Sequence, residues 1–308
     1  MSGEFTLSTP VAFFVYNRPE HTAKVFSRIS DVQPRKLFII ADGPKEKNND
    51  KRTTRARRIV NQVTWDCNVV RLYSDTNLGI KERFVTGLNR VFDTVDEAII
   101  LEDDTLPDPS FFRFCQVLLN RYRDDSRIME ITGRNQLGTW RADKQDYHFS
   151  YNGGIWGWAT WSDCWEMYDP DMKLWEDRIV RDRLKDLFGD EWQYNHMHRV
   201  YEEAYNERDE SWSYPWTFAR QINSGLSVVP SRNLVSNIGF GPEATNTTQS
   251  SSPWSGIDTY SASFPLSAPP YTIVDGDYDQ AFHKIRPGRW KEHPIVYPFW
   301  KLISSFAH

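Results

Sequence analysis

Cysteine, long apolar runs and excess positive charge are the three things this chain has least of. Its cysteines are Cys67, Cys115 and Cys164, three in 308 residues. No two of them form a C-x-x-C pair, so neither a disulfide framework nor a zinc site is indicated. No apolar run approaches the roughly 20 residues that a membrane-spanning helix needs. The opening "MSGEFTLSTP" lacks the basic-then-apolar plan of a secretory leader, and a reducing cytoplasm is the expected setting. A net charge of −5 argues against a nucleic-acid partner. The local basic run "KRTTRARR" at 51–58 is read as the solvated face of a helix, the alternative being a phosphate or membrane patch. Glycine-rich phosphate loops are missing as well. There is neither a G-x-x-x-x-G-K-[ST] nor a G-x-G-x-x-G, which leaves a P-loop kinase and a dinucleotide-dependent dehydrogenase unsupported.

What remains is ordinary for a globular protein, at 39% hydrophobic and 26% charged, and the length suits one large domain or two small ones. Aromatic residues reach 15%, and nine of the thirteen tryptophans fall between Trp140 and Trp216, which sets the second half of the chain apart from the first.

The first half alternates. Apolar "PVAFFVY" (10–16) is followed by a helical pattern over 20–29. "KLFIIAD" (36–42) precedes a helix at 53–63, and "NVVRLY" (68–73) precedes a helix at 80–92 with Ile80, Phe84, Leu88 and Val91 along one stripe. "EAIILEDD" (97–104) is the fourth strand. Strand and helix alternating at this spacing predict βαβ units and a mostly parallel sheet. Such sheets bind ligands beyond the carboxyl ends of their strands. Polar residues collect there: Asn17-Arg18-Pro19, Asp42-Gly43, Ser74 to Gly79 and Glu102-Asp103-Asp104.

Three consecutive carboxylates after a buried strand raise one another's pKa and repel unless a cation or a set of donors compensates them. Mg²⁺ and Mn²⁺ are commonly held by one or two carboxylates, with water and a substrate's phosphates completing the shell. A nucleoside diphosphate held through a metal is therefore the expected ligand. A glycoside hydrolase would need its two carboxylates about 5 to 9 Å apart across the scissile bond, usually from separate elements, and adjacent Asp103 and Asp104 do not supply that arrangement.

The strand "AIILEDD" with "PDPSFFRF" after it, "NLGIKERFVTGLNRVF" before it and "NGGIWGWATWSDCWEMY" beyond resembles the metal-dependent nucleotide-sugar glycosyltransferases of the GT-A fold. Within these it resembles bacterial family-2-like sugar transferases, including those labelled hemolytic-protein-like. It is more distantly similar to eukaryotic N-acetylglucosaminyltransferases with an E-D-D motif. The similarity covers roughly residues 8 to 250. It implies an α/β fold with a Rossmann-like, mostly parallel central sheet flanked by helices. The domain would span 1–265, with a nucleotide-binding half at 8–105 and an acceptor-binding half at 106–265, followed by a C-terminal extension at 266–308. It also implies a soluble bacterial enzyme of polysaccharide biosynthesis, cytoplasmic or at the inner face of the membrane. The donor would be a nucleotide-sugar, UDP-linked by preference, and the acceptor a glycan or lipid-linked saccharide.

By position, the resemblance puts Asp42 against the nucleotide base, Glu102 and Asp103 near the ribose and sugar, and Asp104 on Mn²⁺ or Mg²⁺. Asn17 and Arg18 line the nucleotide pocket. Lys81 and Arg83 contact diphosphate or base, the alternative being solvent-facing charge, and for Asp42 the alternative is turn chemistry with Gly43 and Pro44. Gly153, Gly154 and Trp156 form part of a sugar-binding wall, although a single tryptophan in this region is more often core. His196 and His198 lie on a helical pattern that turns them apart, so they are structural or surface residues.

An inverting transfer needs a carboxylate base on the attack side. Similar proteins place it in a Trp-flanked segment matching "ERDESWSYPWTFARQINSGLSVVP" (207–230), but the expected slot holds Ser213. Glu210, one helical turn earlier, or Asp209 takes the role. Otherwise the base comes from elsewhere, or the chain is a degenerate nucleotide-sugar-binding protein. Further on, "PSRNLVSNIGFGPEATNTT" (230–248) resembles a closing loop. Gly239 and Gly241 would act as its hinge, Asn233, Asn237 and Thr245 would face the diphosphate, and Asn246 stands where a histidine is usual. From about residue 266 the periodicity lapses. The aromatic tail at 293–308 is expected to pack on the domain, with a homodimer contact or a peripheral membrane contact as alternatives.

Overall fold

β1 (Val11–Val15) is buried along its whole length, as a strand covered on both faces must be, and its unbroken apolar run "VAFFV" meets that demand. The computed structural model of the chain describes residues 5–45, 51–206, 211–240 and 257–285. After β1 come α1 (Pro19–Val32), β2 (Lys36–Ala41), α2 (Lys51–Val60), β3 (Asn68–Tyr73), α3 (Ile80–Phe92) and β4 (Glu97–Glu102). These are the elements that the periodicity predicts. Pro19 opens α1, where its fixed φ suits the first turn, and Gln33 closes it in the left-handed region at φ 46. The four strands are parallel in the order β3-β2-β1-β4.

α3 buries Phe84, Leu88 and Val91, whereas Ile80 is 38% exposed because the helix begins beyond the strand ends. Gly87 lets α3 sit close to the sheet: a Cβ there would come within 2.9 Å of the Ile40 and Phe14 side chains.

The second half contributes β5 (Thr105–Pro107), α4 (Ser110–Tyr122), β6 (Ile128–Thr132), β7 (Tyr147–Ser150), β8 (Trp158–Trp161), α5 (Ser162–Trp165), α6 (Arg178–Arg183), α7 (Glu191–Tyr205), α8 (Ser213–Ile222), β9 (Leu226–Pro230), β10 (Val235–Asn237) and α9 (Gly276–Lys284). The full sheet runs β3-β2-β1-β4-β8-β6-β9-β7. β8 is antiparallel to β4 and β6, β6 is parallel to β9, and β7 is an antiparallel edge. The protein is thus an α/β structure with a Rossmann-like, mostly parallel sheet flanked by helices. A two-stranded ribbon pairs β10 with β5, setting Asn237 opposite Thr105.

The tryptophan-rich region is mainly core. Phe14 stacks on Phe84 at 3.9 Å between centroids, Phe84 on Trp212 at 4.3 Å, and Trp212 on Trp158 at 5.6 Å; Trp216 continues the ladder 5.5 Å from Trp158. Each fully buried aromatic ring contributes about 1.5–3 kcal/mol from area alone. The ladder therefore welds α8 to the parallel half. A separate helical lobe closes around Met172, Trp175, Met197, Tyr201 and Phe218. On α7, His196 stacks on Trp192 at 5.3 Å and His198 leans on Trp175 at 4.9 Å, so the two imidazoles face different partners.

Between residues 264 and 285 the chain is more regular than its periodicity suggests. Val274 bridges to Phe149 of β7, Asp275 caps α9 by accepting from the Tyr278 N–H at 3.1 Å, and Phe264, Leu266 and Ala268 pack on the main core. The 293–308 tail lies outside the described residues.

Candidate functional site

β4 stops at Glu102, and the chain turns at once. The Thr105 hydroxyl accepts the Glu102 N–H at 2.9 Å and donates to the Glu102 carbonyl at 3.0 Å. This closes a tight turn whose tip is Asp103-Asp104, beyond the carboxyl end of the sheet. Strand alternation ends there, so the three acids are placed by the turn rather than by the pleat.

Each acid has a different environment. Asp103 is buried and accepts the Tyr16 N–H at 3.1 Å. Burial, with Asp104 beside it, pushes its carboxyl up to about 7 against the pull of Arg18 and the Tyr16 bond. The Glu102 carboxyl is driven well above the usual range by burial first and then by Asp104 and Asp103, and no hydrogen bond to that carboxylate is present among the described residues. Asp104 carries the countercharge: Arg18 Nη1 lies 2.6 Å from its Oδ2, with both side chains about one-fifth exposed. The loop after β1 thus delivers Arg18 to the acidic turn. Asn17 is partly exposed in the same loop.

The segment after β10 covers this turn. The Ile238 N–H donates to the Asp104 carbonyl at 2.8 Å. A Cβ on Gly239 would stand 2.3 Å from Asp104 Oδ2 and 2.9 Å from its Cβ, so a larger residue there must displace the Asp104 side chain. Phe240 meets Trp156 edge to face at 5.5 Å. Three consecutive residues therefore join Asp104 to Trp156, which sequence places 52 positions apart. Asn237 accepts the Gly239 N–H at 2.7 Å, within that segment.

Trp156 lies under the guanidinium of Arg134, whose Cζ is 3.6 Å from the ring centroid, and burial lowers that arginine's pKa to about 9. Gly154 is held on both sides, its carbonyl accepting from Thr132 Oγ1 at 2.6 Å and its N–H donating to Glu130 Oε1 at 3.2 Å. Glu130 is fully buried. It also accepts from Trp216 Nε1 at 2.7 Å and Ser227 Oγ at 2.9 Å, and pairs with buried Arg220 at 3.4 Å. A Cβ on Gly153 would fall 1.7 Å from Glu130 Oε1, so the wall is a glycine loop laid on a buried acid.

Asp42 departs from its expected orientation. Its carboxylate accepts from Asn77 Nδ2 at 3.0 Å, Leu78 N at 2.9 Å and Gly79 N at 3.1 Å, which commits it to the 77–79 loop. Arg57 likewise leaves the solvated face that the basic run suggests. It reaches inward to the Asp42 and Ser74 carbonyls at 2.9 and 2.6 Å and lies 4.9 Å over the Tyr73 ring. Arg83 donates to the Leu72 carbonyl at 2.7 Å, and burial lowers its pKa. The Nε atoms of both arginines are buried without a partner in this corner. Lys81 is partly exposed at the start of α3.

Glu210 and Asp209 lie outside the described residues, as do Gly241, Thr245 and Asn246. Ser213 begins α8, its hydroxyl 2.7 Å from that of Ser211. Asn233 is fully buried and bonds the Val235 and Asp258 carbonyls at 2.9 and 3.1 Å, so it holds the loop together from inside rather than facing a ligand. Among the described residues no group of three or more His, Cys, Asp or Glu side chains is arranged to hold a metal alone. No helix there is long and apolar enough to cross a membrane.

Sequence reasoning missed Glu130, Arg134 and Arg57. The one signal available for the first was a charged residue inside the apolar stretch "IMEIT", a strand pattern in which an inward acid requires a buried partner.

No protein-family model and no curated protein matches the chain. Solved structures do overlap with it. The mannosyltransferase PcManGT from Pyrobaculum calidifontis, in complex with GDP-Man and Mn²⁺, is 12% identical with a TM-score of 0.41, over 70% of each chain. A protein assigned as a nucleotide-diphospho-sugar transferase from Desulfovibrio desulfuricans G20 is 12% identical with a TM-score of 0.31, over 52% of this chain and 65% of that one. UDP-glucose pyrophosphorylase complexed with UDP-glucose is 8% identical with a TM-score of 0.29, over 52% and 78%. Overlaps this partial carry no argument about activity. What the structure shows is the α/β architecture that the resemblance implied, a Rossmann-like, mostly parallel sheet flanked by helices.

Proposed function

We propose that the protein is a metal-dependent glycosyltransferase that moves a sugar from a nucleotide-diphosphate sugar, UDP-linked by preference, to a hydroxyl of a glycan or lipid-linked saccharide. One observation carries this reading: three crowded carboxylates at the carboxyl end of β4, compensated only in part by Arg18 and roofed by a glycine whose neighbour touches Trp156. A cation fits such a place, because a half-buried Glu102 carboxylate without a hydrogen bond and a raised Asp103 are what an uncompensated acidic cluster looks like.

Asp104 would hold Mn²⁺ or Mg²⁺, with Glu102 and Asp103 behind it toward the ribose and sugar. The metal, when bound, supplies positive charge against that developing on the leaving diphosphate. Asn17 and Arg18 would line the nucleotide pocket, and Arg18, once freed from Asp104, would face the diphosphate. Lys81 and the exposed edge of Arg83 would serve the nucleotide, while Asp42 and Arg57 keep the supporting loop in place. Gly154 and Trp156 would form the wall along the sugar, held flat by Glu130.

The base is Glu210 by preference, or Asp209. Trp212 anchors the residues just ahead of α8 two stacked rings from Phe14, whose register partner across the sheet is Glu102. The preference for these two acids comes from their place in the sequence, just ahead of the Trp-flanked segment. A base acts in the transition state rather than in donor binding. Glu210→Gln should therefore lower transfer by about 10² to 10⁴ while nucleotide-sugar affinity stays nearly constant. Parental transfer rates in both Glu210→Gln and Asp209→Asn would remove the assignment. The hydroxyl pair Ser211–Ser213 favours the second reading, a nucleotide-sugar-binding protein of the same fold without turnover. That reading predicts Mn²⁺-dependent donor binding with neither transfer nor hydrolysis. A cytoplasmic setting completes the proposal, with a peripheral contact at the inner face of the membrane or a homodimer as the alternatives to a tail packed on the domain.

A further inference from the structure

On the outer side of β7, four strands from β4 in the sheet and so about 19 Å away at the usual strand spacing, the chain encloses a second concavity. It is a cleft of about 400 Å³ between the loop leading into β7 and the segment that enters α9. Arg141, Gln145, His148, Tyr271, Ile273 and Asp277 line it. None of these belongs to the acidic turn, the Trp156 wall or the Arg57–Arg83 corner.

The floor is unusual. His148 is 2% exposed, and neither Nδ1 nor Nε2 has a hydrogen-bond partner. A buried imidazole with both nitrogens unsatisfied costs stability, and such groups ordinarily find a partner. Burial lowers its pKa to about 4, so near neutrality the ring is uncharged, with one nitrogen donating and the other accepting. The rim presents two exposed apolar side chains to a ligand: Tyr271 is 55% exposed and Ile273 is 65% exposed.

The charges narrow the ligand class. The cation of the rim, Arg141, is already held by Asp275 at 3.1 Å and Asp277 at 2.5 Å, so the rim is acidic on balance and a phosphate or nucleic acid gains no unpaired cation there. Phe149, Pro269 and Val274 also line the cleft, but Phe149 and Pro269 are buried, so the exposed apolar surface is chiefly Tyr271 and Ile273, too small for a lipid chain. A hydroxyl group both donates and accepts, as the floor imidazole does, and a Tyr face with Gln145 beside it suits a ring that alternates apolar C–H faces with hydroxyls.

We infer that the cleft beside β7 is a second, separate binding site whose ligand is a neutral saccharide. It goes beyond the transfer reading and does not depend on it, since its binding requires neither nucleotide nor metal.

The test is an array of defined oligosaccharides, neutral and phosphorylated, probed with the full chain in the absence of nucleotide and divalent metal, followed by calorimetry with the strongest neutral hit. The parent should bind at least one neutral oligosaccharide. Tyr271→Ala should weaken that binding at least tenfold. His148→Leu should do the same while the Tm stays level or rises, because replacing an unsatisfied buried imidazole by an apolar side chain relieves a cost that a purely structural histidine would not carry. No binding to any saccharide on the array, a preference for the phosphorylated members, or binding that survives both substitutions would overturn the inference. A failed transfer assay would not touch it.

Discussion

Replacing Arg18 by glutamine probes the acidic turn most directly, because the guanidinium occupies the place where a cation is wanted. Arg18 and Asp104 approach to 2.6 Å and are 19% and 18% exposed. Two unit charges about 4 Å apart attract by about 4 kcal/mol at an effective dielectric near 20. Desolvation and water entry offset part of this, so about 2 kcal/mol is a fair net figure for a partly buried pair. A divalent ion bound by Asp104 must displace the guanidinium or share the carboxylate with it, and in the parent it does so against that attraction. Arg18→Gln should therefore bind Mn²⁺ alone roughly 10- to 30-fold more tightly, at about 1.4 kcal/mol per tenfold. Electron paramagnetic resonance titration of free Mn²⁺ without nucleotide measures this. The metal-free variant should also melt earlier, since Glu102, Asp103 and Asp104 lose their countercharge, and added Mn²⁺ should restore the Tm. Mn²⁺ affinity that is unchanged or weaker in Arg18→Gln would refute the idea that the arginine holds the cation's place.

Two further outcomes follow from buried acids away from that turn. Glu130→Gln leaves Arg220 buried without its charge partner and should cost about 3–5 kcal/mol in chemical denaturation; a loss below about 1 kcal/mol would mean that the Glu130 hydrogen bonds, not its charge, hold the Gly153–Gly154 loop. Asp279, which accepts from Ser150 Oγ and from the Tyr151 N–H at 3.2 Å, has its carboxyl pushed up to about 6 by burial, from 3.8. A raised carboxyl stabilises the fold fully below about pH 3.8, and this contribution is lost as pH rises through 6. Asp279→Asn should thus remove on the order of 2 kcal/mol of pH dependence between pH 4 and 6, discounting for its partial exposure, and an unaltered stability-versus-pH curve would contradict the shift.

The alternation of apolar runs with helical stripes determined the parallel half by itself, because strands covered on both faces must be continuously apolar and helices packed on one side must repeat near 3.6. The same local reasoning located polar residues at the strand ends, since a strand that leaves the core must meet solvent or ligand there. It also identified the acidic triplet as a cluster needing compensation. Which partner compensates was decided by tertiary structure: Arg18, 86 positions earlier, reaches Asp104 only because β1 and β4 are neighbours in the sheet. Asp42 shows the converse. Its place at a strand end was legible, but its orientation depended on three hydrogen bonds from the 77–79 loop, which no local pattern encodes. Arg57 read as solvent-facing because a helix's charged residues usually are, and the inward turn of one of them follows from two strand-end carbonyls in need of a donor. α9 escaped the periodicity because only Tyr278, Phe282 and His283 of its nine residues are buried, too few for a stripe, although Asp275 with Asp277 and Asp279 behind it is the signature of a capped start. Composition and period settle which residues must be inside and where the chain must turn. Pairing across tens of positions depends on which surfaces meet, and that is a property of the folded sheet alone.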